Sequence, residues 1–150
     1  MILTRCDQVP PQQIDRVIST IRKFDPEILI LRSTHHPSGL LRHPGKSSPV
    51  DDLNGIRVAL VSGIGNPAAF RTSVEDVGAN VVAEKKLPDH AAYDRDTVEQ
   101  LRQWASNLDA VDLLVCTQKD LVKLQTDRIA GVPIVALTIE AMIESSDEFE

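Results

Sequence analysis

The feature that most constrains this chain is the nearly continuous apolar run Ile56-Arg57-Val58-Ala59-Leu60-Val61-Ser62, which passes straight into the turn Gly63-Ile64-Gly65-Asn66-Pro67. An apolar run without alternation is a strand buried on both faces, and such strands belong to parallel sheets covered by helices. Asn66 can cap a helix whose first position is Pro67. Phe70, Val74 and Val77 then supply its buried face, and Gly78 is placed to end it. The alternation repeats downstream. Asn80 to Ala83 reads as a strand, and a helix starting near Asp94 or Asp96 buries Val98, Leu101, Trp104 or Ala105, and Leu108. Val111 to Cys116 is a strand, Leu121 to Leu124 a short helix, and Val132 to Thr138 the last clear strand.

Upstream, Met1-Ile2-Leu3-Thr4 reads as the end of a strand, which leads to the expectation of a larger protein cut at or near one. Pro10-Pro11 opens a helix carrying Ile14, Val17, Ile18 and Ile21 on one stripe. Glu27 to Leu31 is then expected as a short buried strand. The chain is predicted to be α/β, a mostly parallel sheet flanked by helices in a Rossmann-like three-layer arrangement. Between Arg32 and Gly55 the pattern lapses into Pro, Ser, Gly and His, so a long connection is expected there, with a possible subdomain seam within residues 33–55. The tail beyond Glu140, with Glu144, Asp147, Glu148 and Glu150, is expected to fray.

At 150 residues the chain can bury one real core. Aromatic residues make up only 3%, so that core must be aliphatic. A net charge of −6 without clustered Lys and Arg argues against nucleic acid as a partner. Cys6 and Cys116 have no metal or disulfide spacing and read as buried small residues of a reducing compartment. No apolar run is long enough to span a bilayer, and the first residues lack a signal-peptide layout, so a soluble chain is expected.

In open parallel sheets, ligands bind outside the carboxyl ends of strands, which directs attention to the loops after Ser62, Glu84 and Cys116. Gly45-Lys46-Ser47 resembles the end of a phosphate-binding loop, but Leu40 stands where its first glycine belongs, Pro44 removes a donor, and no helix is expected to follow. Gly63-x-Gly65-x-x-Ala68 with Glu84 fits a dinucleotide fingerprint; the bland reading is ordinary helix initiation at Asn66-Pro67. Asp89-His90 could orient a substrate or tune a base, or be exposed loop residues. His35, His36 and His43 lack acidic or thiol companions and read as loop residues, so no metal site is expected. In Thr117-Gln118-Lys119-Asp120, Asp120 is expected to cap the following helix, whereas Lys119 could hold a phosphate or pair with an acid.

Together these loops resemble the C-terminal half of the tetraacyldisaccharide 4'-kinase family. Gly63-Ile64-Gly65-Asn66-Pro67 with Phe70 is similar to its G-I-G-N-P-x-x-F segment, and Pro88-Asp89-His90 with Tyr93 to its P-D-H-H-x-[YF] segment. Thr117-Gln118-Lys119-Asp120 with Val122-Lys123-Leu124 is similar to T-E-K-D-x-V-K-L. Thr4-Arg5-Cys6-Asp7 and the His36-Pro37 region extend the likeness over essentially the whole chain. Ala91 and Gln118 depart from the pattern, putting in doubt any role that needs two imidazoles or the glutamate beside Lys119.

The resemblance implies an enzyme that moves the γ-phosphate of ATP, with Mg, to the 4' hydroxyl of a lipid A disaccharide precursor. It further implies that the phosphate-binding loop, the magnesium-holding acids and the base lie in an N-terminal P-loop domain, the partner without which this portion is inactive and binds no cofactor tightly. Asp89 and His90 would be catalytic, His90 pairing with that partner's carboxylate. Gly63, Gly65, Asn66, Thr117, Lys119 and Asp120 would contact substrate or nucleotide. The resemblance places the intact enzyme in the cytoplasm at the inner membrane face, as a peripheral protein. The alternative is a self-contained dinucleotide-binding module using Gly63, Gly65 and Glu84.

Overall fold

The computed structural model describes residues 1–144. Its elements are β1 (Ile2–Leu3), α1 (Pro11–Phe24), β2 (Leu31–Arg42), β3 (Lys46–Ser48), β4 (Arg57–Ser62), α2 (Pro67–Asp76), β5 (Asn80–Lys86), α3 (Arg95–Ser106), β6 (Leu113–Thr117), α4 (Gln118–Leu124), β7 (Arg128–Ile129) and β8 (Val132–Glu144). The chain divides into two compact units, one of Met1–His36 with the chain from Ile139 onward, the other of Pro37–Thr138.

The larger unit contains the sheet order β2-β8-β6-β4-β5. Three ladders in it are parallel: β4 with β5, β4 with β6, and β6 with β8. Successive side chains of a strand point to opposite faces. Val58 and Leu60 accordingly join one buried cluster with Leu53, Phe70, Val74 and Val115. Ala59 and Val61 join the other with Leu101, Ala105, Leu114 and Leu121. The continuous apolar run is thus two interleaved faces, one covered by α2 and the other by α3 and α4. The expected parallel α/β sheet and its aliphatic core are both present.

The expected connection from Arg32 to Gly55 is instead largely strand. β2 runs to Arg42 and turns back into β3, with Leu40, Leu41 and Arg42 facing Ser48, Ser47 and Lys46. Gly45, at φ +130, makes the turn in the left-handed half of backbone space that glycine occupies without strain. Gly45-Lys46-Ser47 is therefore a hairpin, and Lys46 belongs to a strand. The polar composition hid it because β3 is exposed along its three residues. Pro37 lacks an N–H, and it lies before the rungs that β3 supplies.

In the smaller unit β1 and β2 pair in parallel, Ile2 with Leu31 and Leu3 with Arg32. The strand expected at Glu27 to Leu31 begins only at Leu31. Asp25 holds the preceding residues in a turn, its carbonyl accepting from Ile28 N and its carboxylate from Glu27 N. Helix α1 buries Ile14 but leaves Val17 open. Of the large hydrophobic side chains left exposed among the described residues, all but Val82 and Val122 lie in this unit, with Phe24 88% exposed. Cys116 is buried as expected; Cys6 is only half-buried, its Sγ donating to Leu3 O at 3.3 Å. Strand β8 continues through Glu144, beyond the point where fraying was expected; Asp147, Glu148 and Glu150 lie outside the described residues. No described helix is long and apolar enough to cross a membrane.

Candidate active-site edge

Three loops of the larger unit, following β4, β5 and β6, carry the polar residues. The first is shaped by a cap: Asn66 Oδ1 accepts from Ala69 N at 3.1 Å, and Pro67 occupies the first helical position. Asn66 thus spends its side-chain acceptor on α2. Replacing it with alanine is expected to cost about 1 kcal/mol in urea unfolding; an unchanged midpoint would show that the cap contributes nothing.

The third loop is shorter than the sequence suggested, because β6 passes directly into α4. Thr117, with extended backbone, is the cap, and its Oγ1 accepts from Asp120 N at 3.3 Å. Asp120, expected in that role, sits in the first turn of α4 with its carboxylate turned inward, and it is completely buried. Its Oδ2 accepts from Thr117 Oγ1 at 2.7 Å and from Gly63 N at 3.2 Å, joining the β6 and β4 loops. A β-carbon on Gly63 would lie 3.2 Å from Asp120 Oδ1, so a side chain there would crowd the carboxylate.

Asp89 and His90 sit on the loop after β5. His90 has φ 61, uncommon for a residue with a side chain, and its N–H donates to Asp89 Oδ1 at 2.9 Å. From α4, Lys119 Nζ reaches Asp89 Oδ1 at 3.3 Å and His90 Nδ1 at 3.4 Å. His90 Nε2 stands 3.8 Å from Asp89 Oδ2. A β-carbon on Gly65 would lie 3.4 Å from that same oxygen, so the glycine turn borders the acid. Desolvation pushes the Asp89 carboxyl up, but the Lys119 hydrogen bond, the His90 charge, the His90 N–H and the Lys119 charge together hold it below its ordinary value. A carboxyl held low in the folded state adds stability above its unfolded value, and that contribution goes as pH falls through the folded one.

Next along α4 and the β5 loop are two residues whose part the sequence did not disclose. Lys123 Nζ donates to Ala91 O at 2.8 Å and lies 5.8 Å from the centre of the Tyr93 ring. The Tyr93 hydroxyl and Asp120 Oδ1 are both buried without a partner of good geometry. Burial, then the charge of Asp120 and its polar contact, raises the Tyr93 phenol far above its usual range. Burial followed by that same charge pushes the Cys116 thiol up. Lys119 and Lys123 are four apart on one helix, the spacing at which both face the same loop. That spacing was the available signal for Lys123.

Gly63, Gly65, Asp89, His90, Thr117, Lys119 and Asp120 therefore come together. Glu84 does not stand free at a strand end: it lies within β5, opposite Leu60, its Oε2 3.4 Å from Lys86 and 3.8 Å from Arg71. The histidines of β2 make their contacts within the smaller unit: His36 Nε2 meets Thr34 Oγ1 at 2.9 Å, and His35 N donates to Asp7. Among the described residues no cluster of three metal-type ligands occurs.

A parallel α/β sheet with polar loops gathered at its carboxyl edge is the class that fold and site define. Comparison with known proteins narrows it. The family model described as tetraacyldisaccharide-1-P 4'-kinase matches residues 2–150. The tetraacyldisaccharide 4'-kinase of Syntrophus aciditrophicus is 31% identical over 122 residues, covering 81% of this chain and 32% of that protein. That of Desulfatibacillum aliphaticivorans is 32% identical over 130 residues, covering 81% of this chain and 35% of the relative. The crystal structure of LpxK from Aquifex aeolicus, solved in complex with ATP, shares the fold at TM-score 0.56 and 19% identity, over 98% of this chain and 48% of that one. This chain belongs to the tetraacyldisaccharide-1-P 4'-kinase family. It spans about a third of the length of these curated relatives and aligns with their C-terminal portion.

Proposed function

We propose that this chain is the C-terminal portion of an ATP-dependent kinase that phosphorylates the 4' hydroxyl of a tetraacyldisaccharide lipid A precursor. The observation that carries the reading is the meeting of Asp89, His90 and Lys119 at the sheet's carboxyl edge, beside the Gly63 and Gly65 turn. Phosphoryl transfer is catalysed mainly by positioning and charge stabilisation. In this reading His90 orients the carboxylate base of a P-loop partner domain, Asp89 and Lys119 hold His90, Gly63 is taken up by Asp120, and Gly65 borders the side from which the phosphate end of the reaction approaches.

The residues of this edge do not themselves fit ATP and Mg. Lys119 is held by Asp89, Lys123 by Ala91 O, and Asp120 is enclosed. Nucleotide and metal are assigned to the partner domain, and this portion alone is inactive. The exposed apolar side chains of the smaller unit, Phe24 and Val17 among them, support a partner surface made of protein. The acceptor lipid sets the place of work, the cytoplasmic face of the inner membrane, reached peripherally. Calorimetry on this chain is expected to show no tight binding of ATP or NAD. Tight ATP binding would overturn the assignment of the nucleotide site to a partner, and NAD binding lost in Glu84→Ala would establish the dinucleotide alternative.

A further inference from the structure

We infer that Lys119 is a positioning residue that fixes the His90 imidazole in the tautomer with its proton on Nε2. The argument begins with what an ammonium can do: it has three donors and no acceptor. Lys119 Nζ lies 3.4 Å from His90 Nδ1, so the two can bond only if Nδ1 presents its lone pair. The neutral ring must then carry its hydrogen on the other nitrogen. Lys119 is itself aimed by Asp89, whose Oδ1 accepts from Nζ at 3.3 Å and from the His90 backbone at 2.9 Å. One carboxylate oxygen thus sets both the lysine and the backbone that presents the imidazole.

The remaining charged groups nearby leave this arrangement undisturbed. Lys123, on the same helix, is spent on Ala91 O and the face of Tyr93. Asp120 is turned inward to Gly63 and Thr117, and Asp94 caps α3 through Thr97 N at 2.8 Å. His90 Nε2, 3.8 Å from Asp89 Oδ2, is beyond hydrogen-bond reach of that oxygen. Among the described residues the Nε2–H has no hydrogen-bond acceptor, and the group it suits is an anionic one such as a carboxylate. The purpose of the tautomer rests on the proposed function, while the contact geometry does not.

The test is nitrogen NMR of the His90 ring in the ¹⁵N-labelled chain at pH about 8.5, above the ordinary imidazole range. Loss of the signal in His90→Gln assigns it. In the unaltered chain Nδ1 is expected to resonate as an unprotonated nitrogen and Nε2 to carry the hydrogen. In Lys119→Met, Nδ1 should move toward the protonated position, because no donor then occupies its lone pair and the neutral ring is free to exchange between tautomers; Lys119→Arg should restore the original signal. An unchanged ring spectrum in Lys119→Met, with amide signals elsewhere overlaying, overturns the inference. So does an averaged Nδ1 signal in the unaltered chain, which decides the matter even where Lys119→Met fails to fold. Normal turnover in a His90→Ala enzyme would sink the proposed function and leave this result standing; an insensitive ring spectrum does the reverse.

Discussion

Joined to the nucleotide-handling domain that the proposed function requires, His90→Ala is expected to lower kcat for lipid phosphorylation by about a hundredfold or more, with the KM for ATP nearly unchanged. The split matters. A residue that orients a base acts on the transition state, whereas one that holds nucleotide in the ground state shows in KM. Asp89→Asn should act in the same direction and less strongly. It keeps an oxygen for the His90 N–H but removes the charge that attracts Lys119, so the loop persists while the lysine drifts. Near-normal turnover by a correctly folded His90→Ala enzyme removes His90 from the chemistry and leaves the edge as scaffold. Lipid phosphorylation followed at saturating ATP, on protein whose circular dichroism matches the parent, is the measurement.

The second large effect is on folding. Asp120→Ala is expected to destabilise the chain by about 3 kcal/mol, because a fully buried carboxylate holds Gly63 N and Thr117 Oγ1 in charge-assisted bonds. Removing it strands one buried and one part-buried donor and leaves a void between the β4 and β6 loops. For a domain of this size that is a fall in Tm of about 9 °C. Thr117→Ser, which keeps the hydroxyl, should cost far less. A loss below about 1 kcal/mol in Asp120→Ala would mean that water replaces the carboxylate at little cost, and the brace would lose its importance.

The parts of the fold that could be read ahead are those where a short segment decides its own conformation. Val58 to Val61 is apolar on both faces, so only a covered parallel strand accommodates it, and Asn66-Pro67 caps and opens a helix without help from elsewhere. The β2–β3 hairpin was illegible because Pro37, Ser38 and Gly39 carry no strand signal; their conformation is set by pairing with distant chain, as in the 3.0 Å contact of Ser38 Oγ with Thr138 Oγ1. The site divides the same way. That Asp89, His90 and Lys119 lie at one sheet edge followed from each standing just after a strand of a parallel sheet, where the carboxyl ends share one edge. That Lys119 selects the acid rather than staying free for phosphate depended on the reach of a side chain across thirty positions of sequence. The inward turn of Asp120 was equally hidden, since cap and brace call for the same residue type.

The last strand of the larger unit's sheet, β5, presents one flank with no neighbouring strand among the described residues. Its ladder with β4 slips at Val58 and Ala59, which face Val81 and Ala83 and leave Val82 as an extra residue, and it closes with Glu84, Lys85 and Lys86. A bulge and a run of charges are the two devices that keep a free edge from recruiting foreign chains. Crowded molecules of this protein thus meet there a bent, charged margin that offers poor purchase for the stacking that begins fibrils.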